Sequence, residues 1–171
     1  MVGERERSRK PVLTGGCQCG AVRYALYAEP TGASLCHCRM CQKAVGNAFA
    51  AYAGVPRAEL AWTRGAPATF MSSPIAERGF CARCGTPLTL RYVETDRVSV
   101  TLGSLDDPEA VRPTVHDGVE GRLSWLRLAD GLPEVTTEDD LPPERLARIV
   151  SHQHPDHDTP EGWASPAGTG T

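Results

Sequence analysis

The chain has 171 residues, 40% hydrophobic and only 6% aromatic, with 18 Lys and Arg against 21 Asp and Glu for a formal net charge of −3. That length suits one domain and can bury a core without disulfide staples. No apolar run approaches the ~18 residues of a membrane span, no apolar stretch follows MVGERERSRK as in a secretory signal, and the near-balanced charge argues against a general nucleic-acid binder.

In chain order, residues 1–10 are charged and expected to be disordered. Residues 11–134 read as the folded unit. Short strand-like runs recur between turn signals: Val22–Leu26, Ala48–Ala53, Thr69–Met71, Pro87–Val93, Arg97–Leu102 and Ser124–Leu128. The segment Arg97–Thr101 alternates polar and apolar residues, as a half-buried strand does. Asp107–Val111 reads as one helical turn, with an aspartate cap and Pro108 in the first turn. The class expected is mainly β with short helical turns.

Residues 135–171 read as a C-terminal extension. TTEDDLPPERLARIV predicts a short helix with Leu146 and Ile149 on one side, and a flexible His-rich tail follows. The tail holds His152-Gln153-His154-Pro155-Asp156-His157, a string shared with dinuclear metallo-hydrolases. Those need a large ligand-bearing domain after the string, and only 14 residues follow His157. It reads as an exposed His-rich segment.

The seven cysteines fall in three tight groups: Cys17 and Cys19; Cys36, Cys38 and Cys41; Cys81 and Cys84. Several sulfurs packed into a few residues suit a metal better than a disulfide framework, and without a signal peptide a reducing cytoplasm is the expected compartment. Thiolates are soft ligands, and zinc takes four of them tetrahedrally. An iron–sulfur cluster is the main competitor, but neither ferredoxin spacing is present. Cys81-x-x-Cys84 followed by Gly85 reads as a zinc knuckle. Cys17 and Cys19, on a Gly-rich turn, supply two further ligands and close a structural site. Cys36, Cys38 and Cys41 then leave a fourth position open, as in a catalytic zinc site, unless His37 or His116 fills it. Spacing alone also permits Cys36 and Cys38 to pair with the knuckle.

GGCQCGAVRY (15–24), CHCRMCQKAVGNAF (36–49), SSPIAERGFCARCGTPL (72–88) and TLGSLDDP (101–108) resemble the glutathione-dependent formaldehyde-activating enzyme family, which includes the domain of centromere protein V. The likeness runs from about Gly15 to Trp125 and covers all seven of the family's cysteine positions. It implies a β-tent fold, a structural zinc at Cys17, Cys19, Cys81 and Cys84, and a catalytic or exchangeable zinc at Cys36, Cys38 and Cys41. It also implies a carbon–sulfur lyase or synthase acting on a thiol–aldehyde adduct such as S-hydroxymethylglutathione. The partners implied are a small glutathione-like thiol and an aldehyde.

A glutathione-like thiol carries two carboxylates, which want guanidinium or ammonium partners. Arg39 and Lys43 flank the three-cysteine group and Arg78 precedes the knuckle, so these three are the candidate binding residues. The family's pattern also carries an arginine at the position of Arg78. Ser72 and Ser73 offer hydroxyls, although Ser-Ser-Pro is equally an ordinary turn. Phe49, Phe70 and Phe80 read as core or pocket wall, and His116 as a structural histidine, proton shuttle or zinc ligand. The competing function is a non-catalytic zinc scaffold with two structural zincs; a thiol-based sensor is a further reading, because clustered thiolates oxidise readily.

Overall fold

Glycines and prolines spaced every few residues leave room only for short strands. The computed structural model describes residues 9–128 and 131–150. Its elements are β1 (Leu13–Gly16), β2 (Arg23–Leu26), β3 (Thr31–Cys36), α1 (Arg39–Val45), β4 (Ala50–Pro56), β5 (Leu60–Arg64), β6 (Ala68–Ser73), β7 (Ala76–Phe80), β8 (Pro87–Tyr92), β9 (Arg97–Thr101), β10 (Val115–Asp117), β11 (Glu134–Val135), α2 (Thr137–Asp140) and α3 (Pro143–Leu146). The chain is mainly β, as the sequence predicts.

Two sheets form. The smaller has the order β1-β2-β5 and the larger β11-β10-β3-β4-β9-β8-β7-β6. Neighbours are antiparallel except β10, which runs parallel to both β3 and β11. Val22, Tyr24 and Leu26, in and beside β2, pack with Ala53, Val55, Leu88, Val98 and Val100 of the larger sheet in one buried cluster. Each fully buried aliphatic side chain contributes ~1.5–3 kcal/mol here. Tyr24 sets its ring edge-on to Trp62, and its hydroxyl meets Ser104 Oγ at 2.8 Å, so the polar tip is satisfied.

Five of the six expected strands overlap observed ones. The sixth, Ser124–Leu128, is not a strand. Leu126 N–H donates to Leu123, and the Arg127 guanidinium donates to the Ser124 and Leu126 carbonyls, so this stretch turns on itself. The sequence did not predict α1, because seven residues are too few to display helical periodicity. Gly46, at φ +63°, ends it. The expected turn at Pro108–Ala110 forms, and Asp107 accepts from the Glu109 N–H.

In the C-terminal stretch α3 falls within the expected helix, while α2 is additional and is capped by Thr136, whose hydroxyl accepts from Asp139 N–H. β11 adds to the edge of β10, Glu120 accepts from Thr137 N–H and Oγ1, Arg145 lies 4.8 Å over the Tyr92 ring, and Arg148 pairs with Glu94. Together these contacts fasten residues 134–148 across one end of the larger sheet. No helix among the described residues is long and apolar enough to cross a membrane. Residues 1–8 and the whole of His152–His157 lie outside the described residues.

Candidate metal centres and cleft

The cysteines stand at strand ends, where the fold gathers them into two groups. Cys17 and Cys19 occupy the turn between β1 and β2, and Cys81 and Cys84 the knuckle between β7 and β8; all four Sγ atoms lie within 4.8 Å of one another. Gly85, at φ +78°, returns its N–H to Cys81 O at 2.8 Å and closes the knuckle; a side chain there would be strained. Gln18 N–H donates to Thr86 Oγ1 at 3.1 Å, tying the first turn to the knuckle. Val22 N–H points at Cys17 Sγ from 3.2 Å, and Thr86 Oγ1 lies 3.2 Å from Cys84 Sγ. The Thr86 bonds hold the Cys84 thiol down to about 5.

The second group needs little of the tertiary fold. Cys36 ends β3, Cys38 immediately precedes α1, and Cys41 sits one helical turn further on, with all three Sγ atoms within 4.8 Å. Cys41 is buried, whereas Cys36 and Cys38 are half-buried. Hydrogen bonds from Cys36 and Cys38, with the charge of Arg78, hold the Cys41 thiol well below its ordinary range. The same bonds to Cys38 and Cys41, aided by burial, push Cys36 far up.

Zinc suits both donor sets. Sulfurs ~2.3 Å from a tetrahedral zinc stand ~3.8 Å apart, and the neighbouring pairs are Cys17–Cys19 at 3.6 Å, Cys19–Cys81 at 3.8 Å and Cys36–Cys38 at 3.4 Å. A disulfide needs ~2.05 Å, so the seven cysteines are free thiols.

Arg78, on β7, is almost wholly buried and reaches the second group. Its Nη2 donates to Cys41 Sγ at 3.4 Å, Nη1 to the Tyr52 hydroxyl at 2.8 Å and Nε to Ser72 Oγ at 3.0 Å. Burial works against its charge, but the Cys41 thiolate outweighs that and keeps the guanidinium ionised. Burial and the same thiolate push the Tyr52 phenol up, so it stays protonated. Above these groups opens a cleft of about 250 Å³. Cys36, Cys38, Cys41, Tyr52, Ser72 and Arg78 line its inner part; Thr137, Asp140, Leu141 and Ile149 form a wall from the C-terminal stretch.

The other sequence candidates fall elsewhere. Arg39 donates to Gln42 Oε1 at 3.4 Å, and it and Lys43 line a shallow surface with Trp125, outside the three-cysteine cleft. His37 lies between two of the cysteines but turns away: its Nε2 meets His116 Nδ1 at 2.8 Å, and neither ring joins the sulfur group. Phe49 packs 5.7 Å from the His37 ring, and Phe70 against Phe80 at 6.1 Å. Ser73 lines the cleft but accepts from Ile75 N–H. Tyr52 and the C-terminal wall had no sequence signal: a tyrosine in a strand looks like core, and an amphipathic turn does not disclose what it covers.

The family model described as glutathione-dependent formaldehyde-activating enzyme matches residues 12–120. An uncharacterized lyase of Schizosaccharomyces pombe is 30% identical over 82 residues, which make up 48% of this chain and 59% of that protein's length. A crystal structure of a Rhodobacter sphaeroides protein is 20% identical, with a TM-score of 0.47 over 72% of this chain and all of that one. The cleft wall from Thr137 to Ile149 lies beyond the segment matched by the family model.

Proposed function

The chain belongs to the glutathione-dependent formaldehyde-activating enzyme family, and from that premise we propose that it is a carbon–sulfur lyase or synthase acting on the adduct of a small thiol and an aldehyde. The observation that carries the reading is the three-sulfur group opening onto a cleft of about 250 Å³ that also holds a buried guanidinium. Cys17, Cys19, Cys81 and Cys84 would hold a structural zinc, and Cys36, Cys38 and Cys41 a second one. Zinc bound there would supply an electron-accepting centre that lowers the pKa of a substrate thiol.

The chain's own residues do the rest. Three thiolates against one divalent ion leave a formal charge of −1, which the buried Arg78 offsets in a place that water does not screen. Leu141 and Ile149 shield the cleft from the C-terminal side, so thiol and aldehyde meet as neighbours with water held back. Neither Arg39 nor Lys43 lines this cleft, so recognition of the thiol's carboxylates by these two is not part of the proposal.

The test is to incubate zinc-loaded protein with glutathione and a panel of aldehydes and to follow adduct formation and breakdown by NMR. Acceleration over the spontaneous reaction, lost in Cys36→Ser with the fold and one zinc retained, is the expected result. No acceleration with any thiol or aldehyde would leave a two-zinc scaffold as the better description.

A further inference from the structure

A guanidinium has five donors and no acceptor, so in its 2.8 Å contact with Tyr52 the Arg78 N–H donates and the phenol oxygen accepts. The same planar group is fixed at two other points, Ser72 Oγ and Cys41 Sγ. A rigid fork held three ways fixes the phenol as well. The Tyr52 hydrogen itself has no acceptor among the described residues, and the residue lines the cleft beside Cys36 and Cys41. A phenol whose oxygen already accepts from a cation is a stronger donor, the more so in a buried place. No contact among the described residues consumes that donor.

We propose that Tyr52 is a catalytic hydrogen-bond donor to the aldehyde oxygen, and that Arg78 is the positioning residue that turns it into the cleft. This rests on the thiol–aldehyde reading above. In the addition, a sulfur electron pair forms the new S–C bond and the C=O π pair moves onto oxygen. The proton released by the thiol ends on that oxygen. Tyr52 keeps its own proton throughout and stabilises the negative charge as it develops, the task of an oxyanion hole. In the reverse direction the S–C pair returns to sulfur while the same bond steadies the oxygen. Because the donor acts on the oxygen, its effect is independent of which thiol attacks. It also gives Arg78 a positioning role, since three of its five donors are committed to Cys41, Tyr52 and Ser72.

Tyr52→Phe deletes one oxygen and keeps the ring. The full-length zinc-loaded protein is assayed with formaldehyde and either glutathione or 2-mercaptoethanol. Expected is a fall in kcat of ~100-fold or more, by a similar factor for both thiols, with thiol KM and zinc content unchanged. Arg78→Lys keeps the charge but not the fork. It lowers kcat in the same direction and, in cobalt-loaded protein, shifts the sulfur-to-metal charge-transfer band, which Tyr52→Phe leaves in place. A loss in Tyr52→Phe below about threefold, or one confined to the KM of glutathione, overturns the inference and leaves the thiol–aldehyde reading standing. Loss of zinc or of folded structure in Tyr52→Phe makes the hydroxyl structural and also overturns it. Failure of the wild-type chain to accelerate either thiol overturns both.

Discussion

His37 Nε2 and His116 Nδ1 lie 2.8 Å apart in the protein interior, both rings buried, and so clamp the residue between two clustered cysteines to strand β10. The link fixes where the loop carrying Cys36 and Cys38 can stand. The Gln42 side chain adds to it by donating to the His37 carbonyl at 2.8 Å and to the Gly121 carbonyl at 2.8 Å.

Replacing His116 with Ala therefore removes a buried hydrogen-bond partner and opens a cavity. A loss of ~2–4 kcal/mol is expected, read as a lower urea midpoint with unchanged slope. Zinc at the four-cysteine group should remain, because its ligands come from the β1–β2 turn and the β7–β8 knuckle, not from β10 or the cysteine loop that His116 clamps. An unchanged midpoint would count against the clamp.

The two cysteine groups should differ in what they contribute to stability. One joins Cys17 and Cys19 to Cys81 and Cys84 across a long loop, while the other spans only Cys36 to Cys41. Closing the long loop restrains the unfolded chain much more. Cys81→Ser should cost ~3 kcal/mol or more and lower the melting temperature sharply, whereas Cys36→Ser should cost ~1 kcal/mol or less. Calorimetry with and without a chelator compares them, and equal losses would contradict the assignment.

Gly118, at φ +60°, packs against the cysteine loop so closely that a Cβ there would stand 2.9 Å from Cys38 Cβ and N. Gly118→Ala should cost ~1–2 kcal/mol for the left-handed backbone and displace Cys38. Cobalt titration should then show metal at the three-cysteine group weakened ~10-fold, with the four-cysteine group unaffected. Equal weakening at both would point to general destabilisation.

Asp106 ties β1 and β2 to the loop after β9, accepting from the Arg23 guanidinium and from Thr14 Oγ1. Those bonds, Arg23 first, hold its carboxyl below its ordinary value. A lowered folded-state pKa means stability present above the unfolded value of ~3.9 and lost as pH falls through the folded one. The group is partly exposed, so solvent screening limits the effect to ~0.5 kcal/mol. Asp106→Asn should match this: less stable than wild type at pH 6, with the gap closing as the pH falls below 4. A constant gap between those pH values would rule out ionisation as the cause.

The clustering of the cysteines was legible in the sequence, because spacing within each group is local. Cys36, Cys38 and Cys41 converge through one strand end and one helical turn, so six residues suffice to place them. The knuckle at Cys81 and Cys84 is equally local, and its glycine announces the turn. Binding residues were less legible: Arg39, Lys43 and Arg78 have the same charge and similar nearness to cysteines in sequence, yet Arg78 alone of the three reaches the cleft. Nearness along the chain says nothing about which face of a sheet a side chain enters.

The sequence by itself determined a β-rich chain and three local groups of sulfur donors, since short-range spacing and the soft chemistry of thiolates decide both; the fold decided that Cys17 and Cys19 join Cys81 and Cys84. Tertiary structure alone decided that His37 faces His116 and not the sulfurs, that Arg78 is committed to Cys41, Tyr52 and Ser72, and that residues beyond the family's matched segment wall the cleft. The reason is strand pairing. β4 and β7 belong to one sheet, with β9 and β8 between them, and α1 follows β3 at its side; only that arrangement of distant segments brings Cys41 of α1, Tyr52 of β4 and Arg78 of β7 within hydrogen-bond reach.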